Sequence, residues 1–76
     1  MNRDEKLANL CHEQWAGWMR YLFKFGTQNE DGTFTMDADK VARWRRQMET
    51  PYSGLSESEQ NSDRKEAAKF IKIFND

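Results

Sequence analysis

Leu7–Phe25, LANLCHEQWAGWMRYLFKF, is the stretch whose reading decides the fold. At 3.6 residues per turn, Leu7, Cys11, Trp15, Trp18, Leu22 and Phe25 fall on one stripe of a helical wheel. Leu10, Met19 and Tyr21 flank it, so the apolar face is broad enough to anchor a small core. The helix is expected to open at Asn2 or Arg3. Asn2 and Glu5 have capping-box spacing, and Asp4 and Glu5 suit the positive end of the helix dipole. Gly17 costs about 1 kcal/mol relative to alanine inside a helix. Beside two tryptophans it reads as a point of close packing. Gly26 reads as the stop, with Lys24 well placed in the last turn.

Working outward, TQNEDGTFTM (27–36) is the only candidate for non-helical order. Asp31-Gly32 signals a turn, and Thr33 to Met36 alternates with strand period, which predicts a turn or at most a mini-hairpin. Phe34 and Met36 are expected to tuck under the helices. A second helix should run from an N-cap at Asp37 to about Glu49, with Val41, Trp44 and Met48 as its stripe and Pro51 enforcing its end. Ser53-Gly54 reads as a turn. Ser56 and Glu59 form a capping box for a third helix, Glu57 to about Phe74. Its inner stripe is read as Gln60, Arg64, Ala67, Ile71 and Phe74, with Phe70 alongside. Lys65, Lys69 and Lys72, with Glu66 among them, take the opposite face. The expected architecture is all-α: one compact three-helix domain over residues 1–76, with a short turn or mini-hairpin between helices 1 and 2.

Seventy-six residues leave no room for a second core. Three Trp, two Tyr and five Phe are a large aromatic load for that length. Either a dense core absorbs them or some mark a contact surface. Twelve basic and 13 acidic residues give a net charge of −1. That balance argues against a DNA-binding domain and equally against an acidic DNA mimic. One cysteine, Cys11, excludes an internal disulfide and a cysteine-based zinc site, and fits a reducing compartment. The polar start MNRDEK and the lack of a long apolar run suggest no signal peptide and no membrane span. A cytoplasmic location is expected.

Several polar residues break the pattern. Arg45 lies near Val41 and Met48 on the second helix, and Arg64 lies on the stripe assigned to the third. An inward guanidinium must be paired; Asp63, Glu13 or a backbone carbonyl are the ordinary partners. Alternatively the two arginines line a cleft for an anion, with Trp15, Trp44 and Tyr52 completing an aromatic and cationic pocket of the kind nucleotides favour. His12 sits at the edge of the first stripe, where it reads as a boundary residue. No serine lies in a nucleophile elbow and no metal-ligand spacing occurs. No catalytic set is legible, so the expectation is a protein that is not an enzyme and needs no cofactor. Lys40, Arg43, Arg46 and Gln47 form a polar face too thin for a phosphate-backbone footprint.

The order of these features resembles the RyR domain, the small helical module of ryanodine receptors that also occurs in bacterial and phage proteins. That family carries a histidine-glutamate-x-tryptophan on its first helix, then a proline-tyrosine-x-x-leucine connection and an aspartate-arginine on its last. His12, Glu13, Trp15, Pro51, Tyr52, Leu55, Asp63 and Arg64 match this pattern. The chain departs from it in the middle. Residues 27–49 stand where the family has a glycine-tryptophan-x-tyrosine-glycine stretch, and Asn61-Ser62 stand where it has a lysine before the aspartate-arginine. The resemblance implies a non-catalytic module, closest in general look to small phage or prophage proteins, acting in the host cytoplasm if phage-encoded.

Two functions follow as expectations. One is an interaction module that binds a protein partner or forms a homo-oligomer. The other is sequestration of an anionic, nucleotide-like ligand through His12, Trp15, Trp44, Arg45, Tyr52, Asp63 and Arg64.

Overall fold

The structure is a computed structural model and describes residues 1–75. Three helices and a two-stranded hairpin account for the chain, and 72% of it is helical, which makes the fold all-α. Helix α1 spans Arg3–Leu22, and Asn2 caps it by accepting the Glu5 amide hydrogen at 2.9 Å. The helix stops at Leu22, short of the expected Phe25–Gly26 end. Phe23 still donates to the Met19 carbonyl, but Lys24 and Phe25 donate to Tyr21 and Leu22 at 3.1 Å, tightening the chain into a turn. Phe25 therefore leaves the helix and packs against the rings of Tyr21 (4.8 Å) and Trp44 (6.3 Å).

Gly26 has a different task from the one expected. It begins strand β1 (Gly26–Gln28), which pairs antiparallel with β2 (Phe34–Met36) in the register Gly26 with Met36, Thr27 with Thr35 and Gln28 with Phe34. A Cβ at Gly26 would meet the Thr35 carbonyl and the Phe34 ring, so a glycine is needed for strand pairing. The turn at its tip is built from polar groups. Asn29 Nδ2 donates to the hydroxyls of Thr33 and Thr35, both at 2.9 Å, while the Thr33 N–H donates to Asp31. Gly32 adopts φ +89°, where a side chain would be strained.

Helix α2 (Ala38–Glu49) starts after an extended Asp37, whose side chain makes no capping bond. Thr50 is extended ahead of Pro51, as the proline requires, and Tyr52–Gly54 forms a single 3₁₀ turn. At the start of α3 (Glu57–Asn75) both capping-box bonds form. The Glu59 N–H donates to Ser56 Oγ and the Ser56 N–H donates to Glu59 Oε1, each at 3.1 Å.

The face that α3 turns inward differs from the expected stripe. Glu59 is buried and Gln60, Glu66, Phe70 and Ile73 are half-buried, whereas Arg64, Ala67, Ile71 and Phe74 are exposed. The reason is electrostatic. The second carboxylate oxygen of Glu59 accepts from Arg46 Nη2 at 3.0 Å, tying α2 to α3 and setting the rotation of α3 about its axis. Phe70 and Ile73 turn inward in exchange for Ile71 and Phe74, so the apolar cost is small and the charge-assisted bond decides the rotation.

The helix α1 stripe is corrected in the same way. Leu10, expected as a flank, is the one buried apolar side chain among the described residues, while Cys11, Trp15 and Trp18 are exposed. At one end α1 meets α3, with the Arg3 guanidinium 5.4 Å from the centre of the Phe74 ring. At the other, Tyr21 meets Trp44 of α2 at 6.0 Å. The Cα extents of the fold are 45 × 32 × 16 Å.

Candidate functional site

The residues turned inward by all three helices line one open groove of about 1200 Å³. Helix α1 contributes Leu10, Gly17, Trp18 and Tyr21, and α2 contributes Arg43, Trp44 and Met48. Tyr52 and Leu55 of the connection, with Glu59, Asp63 and Glu66 of α3, complete the lining. One flank is thus aromatic and the other acidic. Trp18 remains 56% exposed and Tyr52 48% exposed, so the apolar surface is open to solvent. Gly17 opens onto empty space: a Cβ there would find nothing within 4 Å, so the close packing expected at this glycine is absent inside the chain.

The acidic flank is ordered by specific bonds. The Glu59 carboxyl is held below the ordinary carboxylate value, first by the Ser56 backbone N–H, then by the Ser56 side chain, with Arg46 adding to both. Because the folded-state pKa is depressed, the stability it contributes is present above the unfolded value and is lost as pH falls through the folded one. Glu59→Gln should therefore flatten the loss of stability that the wild type shows below about pH 4.5. The thermal midpoint against pH is the measurement, with Asp31→Asn as comparison, since hydrogen bonds from Thr33 depress that carboxyl too. An unchanged acid limb in Glu59→Gln would refute the assignment. Further along α3, Glu66 Oε1 accepts from Lys69 Nζ at 3.0 Å, while its Oε2 is buried without a partner. Lys69, expected on the far face, lines the groove instead.

The sequence-derived site residues are only partly brought together. Trp44, Tyr52 and Asp63 line the groove. Arg45 is absent from the groove lining and lines a smaller adjoining cleft of about 260 Å³ with Leu22, Met36 and Val41. His12 and Trp15 stack on each other at 6.2 Å and are absent from the groove lining. Arg64 is exposed, and its partners are neither Asp63 nor Glu13. Its Nη1 donates to Glu57 Oε1 at 2.8 Å and its Nη2 to Gln60 Oε1 at 3.0 Å. Gln60 in turn donates to the Tyr52 carbonyl at 2.9 Å. Arg64 thus braces the connection, and its pKa is raised first by Glu57 and then by the neighbouring Tyr52.

Arg46 and Glu59 were missed as a pair, because residues 13 apart carry no local periodic signal. Glu59 showed itself only through its capping-box spacing. Among the described residues no group of three His, Cys, Asp or Glu side chains is placed to hold a metal ion, and no helix is long and apolar enough to cross a membrane. No family model, curated protein or solved structure matches the chain.

Proposed function

We propose that the chain is a non-catalytic protein-interaction module, of the kind its resemblance to phage-type RyR domains implies. The observation that carries this reading is the open groove with Trp18, Tyr21, Trp44 and Tyr52 along it. Aromatic residues in a partly desolvated concave surface, beside polar groups that are already hydrogen-bonded, are the composition of an interface centre. A helix laid in such a groove would cover the aromatic flank and leave the charged flank as its rim. The chemistry this favours is recognition: Glu59 is engaged by the cap and by Arg46, and Glu66 by Lys69 through one of its two oxygens.

Site-specific incorporation of a photo-crosslinking amino acid at position 43 tests this in cells. Arg43 is exposed and lines the groove, so a probe there faces the occupant from the groove wall. A covalent adduct with a protein is expected, and no adduct on illumination would overturn the reading.

A second reading, sequestration of an anionic nucleotide-like ligand, is favoured by Tyr52 lying beside Arg64. It predicts a shift of several degrees in thermal unfolding with one nucleotide of a panel at hundredfold excess over Kd. It also predicts loss of that shift in Arg64→Ala. The protein-interaction reading predicts a flat panel.

A further inference from the structure

We propose that the groove is filled by a second copy of this chain, helix α1 of each protomer lying in the groove of the other across a two-fold axis near Gly17. This rests on the interaction reading above and names its partner. Three observations point to a second copy.

The first is area. The chain exposes 6213 Å². A folded monomer of its size exposes about 4900 Å², so about 1300 Å² per chain is surplus. Obligate homodimers remove about 1000–2500 Å² from each protomer, and the surplus lies in that range.

The second is layering. A helix with an apolar stripe must bury it against another element, and stable domains do so between two packed layers. In this chain the apolar stripes stay largely uncovered, and Leu10 is the one buried apolar residue among those described. A second copy supplies the missing cover.

The third is shape. Three turns of helix about 10–12 Å across occupy about 1250–1850 Å³. The groove is open to solvent and holds part of such a segment in its roughly 1200 Å³. Helix α1 is long enough to supply those turns, and it presents Trp15 and Trp18, each more than half exposed.

An isologous contact requires that the element filling the partner's site also line its own. Helix α1 meets that condition, since Gly17, Trp18 and Tyr21 line the groove. Gly17 gains a physical reason as well. Within one chain nothing approaches it, so the helix carries a glycine without an intramolecular contact that needs one. A second helix backbone crossing at that point does need one. Charge does not oppose the pairing, because Arg3, Lys6 and Arg20 of α1 balance Asp4, Glu5 and Glu13.

The test is sedimentation equilibrium of the purified chain from low micromolar to millimolar concentration, with thermal unfolding at the same concentrations. A mass of twice 9.1 kDa is expected. A thermal midpoint that rises with protein concentration is expected with it. Gly17→Glu places a charge at the crossing and should weaken association by roughly 100-fold while removing the concentration dependence of unfolding. Should that variant be too unstable to weigh, Trp18→Ser, at an exposed position, serves the same purpose. A wild-type monomer throughout the range overturns the second copy. If such a monomer still forms an adduct through position 43 in cells, with a protein of other mass, the interaction reading stands and only its self-partner falls. If neither dimer nor adduct forms, both fall. A dimer that survives Gly17→Glu and Trp18→Ser with undiminished affinity overturns the placement at α1.

Discussion

Leu10→Ala lowers the free energy of unfolding by about 2–4 kcal/mol, the cost of a cavity in place of a buried leucine. For a chain of this length, whose total stability is about 4–11 kcal/mol, that leaves a large unfolded fraction at modest denaturant. The effect is concentrated because Leu10 is 9% exposed, while Leu7 on α1 and Phe70 and Ile73 on α3 are only half-buried. Urea unfolding followed by far-UV circular dichroism is the measurement, and the slope should be unchanged. Ile71→Ala is the control. Ile71 is 57% exposed, so its removal should cost about 0.5 kcal/mol or less. Equal losses at the two positions would show that stability is not concentrated at Leu10.

Trp44→Ala is expected to cost about 2–4 kcal/mol and to abolish most of the near-ultraviolet circular dichroism. Trp44 is half-buried, which places it below the full range for burying an aromatic side chain. Its ring lies 6.0 Å from Tyr21 and 6.3 Å from Phe25, joining the end of α1 and the entry to the hairpin to α2. Aromatic pairs in such tilted and edge-on geometry add about 0.5–1.5 kcal/mol each beyond their area. Trp15→Ala is the contrast, since Trp15 is 55% exposed and stacks only on His12, so it should leave stability within about 1 kcal/mol of wild type. A Trp44→Ala protein of unchanged stability would mean that the cluster does not hold α2 in place. In that event Trp44 would belong to the contact surface alone.

What could be read from the chain and what could not divide along the range of the interactions involved. The Asn2 cap on the Glu5 amide and the Ser56–Glu59 capping box were legible because a cap is closed by residues three apart. The hairpin was legible from Asp31-Gly32 and the alternation after it. Pro51 marked the end of α2 through its own steric demand. The end of α1 was misplaced because Gly26 carries the same mark for a helix stop and for a close strand pairing. Only the approach of Phe34 and the Thr35 carbonyl distinguishes them.

The facing of α3 failed for a deeper reason. Ile71, Phe74 and Ala67 make the better hydrophobic stripe, yet the bond between Arg46 and Glu59 turns the acidic side inward. Tertiary electrostatics overrode the periodic signal there. The candidate site suffers the same limit: Trp44, Tyr52 and Asp63 were found because their chemistry is conspicuous. Gly17 was read as a point of close packing within the chain, whereas the space in front of it is a property of the assembled helices.

The two-sided engagement of Glu59 has a consequence for how the molecule breathes. One carboxylate caps the first turn of α3 and simultaneously anchors Arg46 near the end of α2. Fraying of the one helix therefore releases the other, and the two ends open as a single cooperative unit. Amide hydrogens in the last turn of α2 and in the opening of α3 should exchange with solvent at matched rates. The hairpin, held by its own Asn29 and threonine bonds, keeps a separate clock.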